Sequence, residues 1–233
     1  MDAKEEWSYW EMLNQVKIQC DCMLELSTIS CDFEQALIGA IKDQFPDARI
    51  VGCLFHFKQA IRRKLVALRI PEEQVQRAME PNVLDVLTVI PRLQIVKRGI
   101  PYVKSLLLTD GHVANVAKWA SFWKYFYKTW LKTYYISTWN VYDAVERDID
   151  LINHTNNPLE KYNRDFGANF NAAHPNLLTF IQVIKSEAVS YITMLDDIDH
   201  GRRRPTRHAI TAPPTIPSDF FRFQLPTDDN SVV

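Results

Sequence analysis

Residues 23–65 read MLELSTISCDFEQALIGAIKDQFPDARIVGCLFHFKQAIRRKL, and the fold class turns on how this stretch divides. Residues 23–31 are rich in Leu, Ile and Thr, the composition of a strand. The pattern then changes at once. FEQALIGAIKDQF sets Leu37, Ile38 and Ile41 on one side of a helix, and Pro46 stops it. RIVGCLFHF, residues 49–57, is apolar almost throughout, as expected of a strand buried on both faces. QAIRRKLVALRI returns to helical spacing, and upstream EEWSYWEMLNQVKIQ (5–19) reads as a helix too. The order α-β-α-β-α, with crossovers of this length, predicts neighbouring parallel strands and an α/β class.

The whole chain of 233 residues is 47% apolar and 24% charged, too apolar for wholesale disorder. Six Gly against 12 Phe, 9 Tyr and 6 Trp favour long, packed elements, chiefly helices. No 18-residue apolar run exists, so no membrane partner is expected. MDAKEEWSYW lacks the apolar core of a secretory signal. The 4 cysteines, Cys20, Cys22, Cys31 and Cys53, show no framework spacing and suit a reducing compartment.

From Pro71 to about Asp150 the strand signals fade into helices divided by Pro81, Pro91 and Pro101. WASFWKYFYKTWLKTYYISTWNVY, residues 119–142, holds 11 aromatics in 24 residues. Trp119, Trp123, Phe126 and Trp130 share one helical stripe, which can stack nucleobases or form core. The loop NHTNN leads into PLEKYNRDFGANF and a last helix from about Leu177 to Leu195. From residue 199 the chain is Pro-rich and aperiodic, and reads as a disordered tail in which RRRPTR is a weak nuclear-import signal. The expected divisions are therefore 1–70, 71–150, 151–198 and 199–233.

Charge is uneven along the chain. Residues 1–34 carry 8 acids against 2 lysines. Residues 49–69 carry Arg49, Lys58, Arg62, Arg63, Lys64 and Arg69 with no acid. That stretch is either a solvated helix face or a phosphate-binding one.

Two acids and one Cys/His pair can carry chemistry. Asp32 sits between strand and helix, where it makes a good N-cap, with Gln35 completing a capping box. It is equally a carboxylate at the C-terminal end of a parallel strand, where open α/β sheets place their sites. Glu160 has the same double reading. Asn157 suits an N-cap and Pro158 the first helical position, so Glu160 falls at N3. A carboxylate there can also face Mg²⁺, which takes carboxylate oxygens and waters. Cys53 and His56 have C-x₂-H spacing, half of a zinc set, or they are a buried Cys beside a satisfied His. No dinucleotide, Walker, nucleophile-elbow or zincin motif is present.

Together these pieces resemble the Mutator-like element (MULE) transposases. The first matching block is Asp32-Phe33-Glu34, then Phe45-Pro46, then Cys53 and His56, Gln59 and the basic run Arg62 to Lys64. The second is Trp139, then Thr155-Asn156-Asn157, Glu160, and His174-Pro175. The resemblance spans about residues 5–195. It implies a ribonuclease-H-like fold with a large all-helical insertion, and metal-dependent DNA cleavage and strand transfer on transposon ends in the nucleus. Asp32 and Glu160 would be catalytic acids holding Mg²⁺ or Mn²⁺, and Arg62, Arg63 and Lys64 would hold DNA phosphates. Cys53, His56, Thr155, Asn156 and Asn157 would be family-motif residues.

The sequence departs from the family pattern upstream. Only 31 residues precede Asp32, so the resemblance implies that the first catalytic Asp and the first three strands are absent. His154 stands where the family often has Arg. The expectation is a partial fold, inactive alone, with a strand edge open to self-association. The alternative is a domesticated, non-enzymatic module that binds DNA or protein.

Overall fold

The computed structural model describes residues 5–108, 115–146, 157–172, 174–205 and 215–225. The chain forms two compact units, residues 1–156 with 213–233, and residues 157–212.

The first unit opens with helix α1 (Glu6–Gln19), strand β1 (Thr28–Cys31), helix α2 (Gln35–Gln44), strand β2 (Arg49–Gly52) and helix α3 (Leu54–Ala67). The strands pair in parallel, from Thr28 opposite Arg49 to Cys31 opposite Gly52. Both are shorter than the sequence suggests. β2 ends at Gly52 because the apolar run beyond it has helical spacing: Phe57, Ile61 and Leu65 bury one face of α3 at i, i+4 and i+8. Gly52 also permits a close approach, since a Cβ there would lie 2.4 Å from the Phe33 ring.

The strands alternate their side chains between two cores. Cys31 packs with Ile38 and Ile41 of α2, and Ile29, Ile50 and Leu13 of α1 close over that group. Val51 points the other way, into a larger core with Phe57, Ile61 and Leu65.

The rest of that core comes from the helical stretch beyond residue 70. It comprises α4 (Glu72–Met79), a 3₁₀ turn (Asp85–Thr88), a π-helical turn (Ile95–Gly99) running into α5 (Ile100–Leu108), α6 (Val116–Phe126) and its π-helical extension (Tyr127–Thr133), α7 (Ile136–Trp139) and α8 (Tyr142–Glu146). Pro71 immediately precedes α4 and Pro81 lies just beyond it. Pro101 does not divide helices: it lies just after the π-helical turn Ile95–Gly99, within one continuous helical run.

The aromatic stripe is core. Phe126 and Trp130 are buried, and Trp119 and Trp123 pack against the same cluster. Asn140 is fully buried, and its amide donates to the carbonyls of Leu87 (3.0 Å) and Ile90 (2.9 Å). It thereby satisfies two carbonyls that would be costly to bury alone. Residues 1–70 and the helical stretch thus share one core.

Part of the expected disordered tail is folded. The short helix Ser218–Arg222 belongs to the first unit, and its Phe220 is completely buried. The sequence signal fails there because the segment is short and Pro-flanked, and it gains its order from contacts with residues more than a hundred positions away.

The second unit holds α9 (Asn157–Gly167) and α10 (Leu177–Asp199). Phe166 and Phe170 meet Phe180 at ring distances of 6.4 and 5.9 Å, and Tyr162 meets Tyr191 at 6.3 Å. Asn176 caps α10 by accepting the Thr179 N–H.

Candidate functional site

Asp32 follows the last residue of β1, at the C-terminal end of the two-stranded sheet. Its Oδ1 accepts the Glu34 N–H at 3.0 Å, closing an Asx turn. The expected capping box does not form. Helix α2 starts at Gln35, its N-cap is Glu34, and no side chain caps it.

Phe33 is held between the strand and the helix. Its ring is set edge-on to Trp130 (4.8 Å) and Tyr134 (5.3 Å), and its carbonyl accepts the Tyr134 hydroxyl at 2.5 Å. The first α2 bond runs from the Ile38 N–H to the Glu34 carbonyl. The Glu34 carboxylate accepts the Tyr9 hydroxyl of α1. The corner carrying Asp32 is therefore held from three directions, and its carboxylate is partly exposed.

Cys53 and His56 lie at the adjacent corner, between β2 and α3. Cys53 is fully buried and its N–H donates to the Cys31 carbonyl at 2.9 Å. His56 is partly buried in the first turn of α3. Burial first, then the Asp32 carboxylate and Cys53, push the Cys31 thiol up to about 12. At neutral pH it is protonated and acts as packing.

Glu160 lies on α9 in the second unit, while Asp32 belongs to the first. The Glu160 side chain and residues Thr155 and Asn156 lie outside the described residues. Asn157 is the first residue of α9. Among the described residues, no group of three or more His, Cys, Asp or Glu gathers to hold a metal.

The basic stretch is partly engaged by contacts within the chain. Lys58 pairs with Asp85 at 3.1 Å, Arg62 reaches Glu72 at 3.4 Å, and the Lys64 ammonium lies 5.1 Å from the Tyr125 ring centre. Arg63 alone of the run Arg62 to Lys64 is exposed with neither an ion pair nor a ring contact among the described residues.

A second basic surface is not obvious from charge runs. Lys124, Lys128 and Lys132 are all exposed, at i, i+4 and i+8 along α6 and its extension. None forms an ion pair among the described residues, and no Asp or Glu occurs between Asp110 and Asp143. Lys132 lies over the Tyr127 ring at 5.4 Å, and Lys42 of α2 over Tyr135 at 4.4 Å. The Lys64–Tyr125 contact joins α3 to the same helix. The sequence signal that could have found this surface is the four-residue lysine spacing in an acid-free stretch, masked by its aromatics.

No helix among the described residues is long and apolar enough to cross a membrane. No protein-family model, curated protein or solved structure matches the chain.

Proposed function

We propose that this chain is a MULE-type transposase domain that binds DNA and does not cut it unaided. The observation that carries the DNA-binding part is the row of Lys124, Lys128 and Lys132 on a stretch of chain without acids, exposed and without ion pairs among the described residues. Such a stripe gives DNA phosphates a run of cations with no carboxylate on the same stretch of helix. Arg63 on α3 is a further exposed cation.

The partial ribonuclease-H-like reading rests on the order of elements together with the resemblance. A parallel strand ends beside Asp32, a helix and a second parallel strand follow, and a helical stretch then packs onto the same sheet. In that reading Asp32 and Glu160 descend from catalytic acids that hold Mg²⁺ or Mn²⁺.

Duplex binding measured with and without EDTA tests the reading. Affinity unchanged by EDTA and by Asp32→Ala, but reduced by Lys124→Gln/Lys128→Gln, supports it. Mg²⁺- or Mn²⁺-dependent cleavage by the purified chain, abolished by Glu160→Ala, would show a working nuclease and overturn it.

A further inference from the structure

The docking of Ile216–Phe223 has the features of a peptide–receptor contact. A single guanidinium reads its main chain. Arg98 Nη2 donates to the carbonyls of Phe220 (2.9 Å), Phe221 (2.9 Å) and Phe223 (3.0 Å), and Nε reaches Phe220 again at 3.3 Å. These are the carbonyls that a helix end leaves without partners. The same guanidinium lies 5.2 Å from the Phe220 ring centre.

Side chains supply the selectivity. Phe220 and Phe223 both meet Tyr102 edge-on at 5.4 Å, and Ile216 joins the core. Phe221 points outward, 65% exposed. The anchors are thus Phe220 inside the short helix, with Ile216 and Phe223 on the non-helical residues that flank it. A five-residue helix has no stability of its own, so the segment is ordered by its docking. The chain passes through the second unit, residues 157–212, before returning to make this contact.

We infer that Arg98 and Tyr102 build a peptide-binding site, and that the Ile-Pro-Ser-Asp-Phe-Phe-Arg-Phe segment of this chain occupies it in cis as a detachable ligand. The site takes a segment with two aromatic anchors and a helix end whose carbonyls meet the guanidinium. Covalent linkage raises the local concentration of the segment, so the intact chain holds its own site closed.

Labelled peptide spanning residues 216–225 tests this by fluorescence anisotropy on the full chain. Phe220→Ala, which weakens the cis segment, is expected to bind the free peptide roughly tenfold or more tighter than wild type. Adding Arg98→Ala to that variant is expected to abolish the gain. Equal binding to wild type and Phe220→Ala, or binding that survives loss of Arg98, overturns the inference.

A second arm does not depend on Phe220→Ala folding. A specific protease site is placed within residues 206–214 of the otherwise wild-type chain, and the cut protein is run on gel filtration. The released fragment is expected to co-elute with the remainder and to be displaced by excess free peptide. Immediate loss of the fragment, or a fragment that excess peptide cannot displace, contradicts a detachable ligand.

Discussion

The Tyr134 hydroxyl donates to the main-chain carbonyl of Phe33 at 2.5 Å, joining residues 101 positions apart. This bond ties the corner that carries Asp32 to the C-terminal end of the α6 extension. Tyr134→Phe keeps the ring packing and removes only the donor. It is expected to cost about 1 kcal/mol in urea denaturation. It is also expected to speed amide exchange at Glu34, whose N–H closes the Asx turn. Unchanged exchange at Glu34 would separate the corner from the hydroxyl.

Gly52 faces the Phe33 ring with no room for a methyl. Gly52→Ala is expected to destabilise the chain by about 1–3 kcal/mol through overpacking. Combining it with Phe33→Leu should recover part of that loss, because the ring is what the new Cβ meets. Additive effects in the double-mutant cycle would show that the two residues do not touch.

The Cys31 thiol sets a pH dependence. Its folded value, about 12, lies above the ordinary 9.0. The folded state thus holds the proton more tightly, so this contribution is present below about pH 9 and is lost as pH rises toward 12. Stability followed by chemical denaturation is expected to fall over that range, and Cys31→Ala should flatten the fall. In alkylation at about pH 8, the exposed Cys20 and Cys22 are expected to react well before buried Cys31.

Strands β1 and β2 pair only with each other among the described residues. A sheet of two strands leaves main-chain groups at its edges that invite another strand. Sedimentation velocity of the purified chain is expected to show concentration-dependent self-association. A single monomeric species across a wide concentration range would contradict an open edge.

Much of this is legible in the sequence where one face of an element is apolar. Leu37, Ile38 and Ile41 mark α2, and the aromatic stripe ending in Trp130 marks a packed helix. The end of β2 is not legible, because Leu54 to Phe57 is equally apolar as strand or helix, and burial of Phe57, Ile61 and Leu65 decides for helix. The place of Asp32 at a strand end follows from the sequence. Its turn geometry does not, because Phe33 is held by Tyr134, a partner no local pattern reveals. The Arg98 clip is hidden for the same reason: its anchors are three residues in an aperiodic, Pro-rich stretch.

The salt dependence of duplex DNA binding tests the DNA-binding surface most directly. For wild type, log affinity is expected to fall linearly with log salt. Lys124→Gln/Lys128→Gln/Lys132→Gln should make the slope shallower by about 0.9 for each phosphate that is no longer neutralised. Circular dichroism of the triple variant should match wild type, because all three side chains are exposed. A slope and affinity unchanged by the triple substitution would contradict the assignment of this surface to DNA.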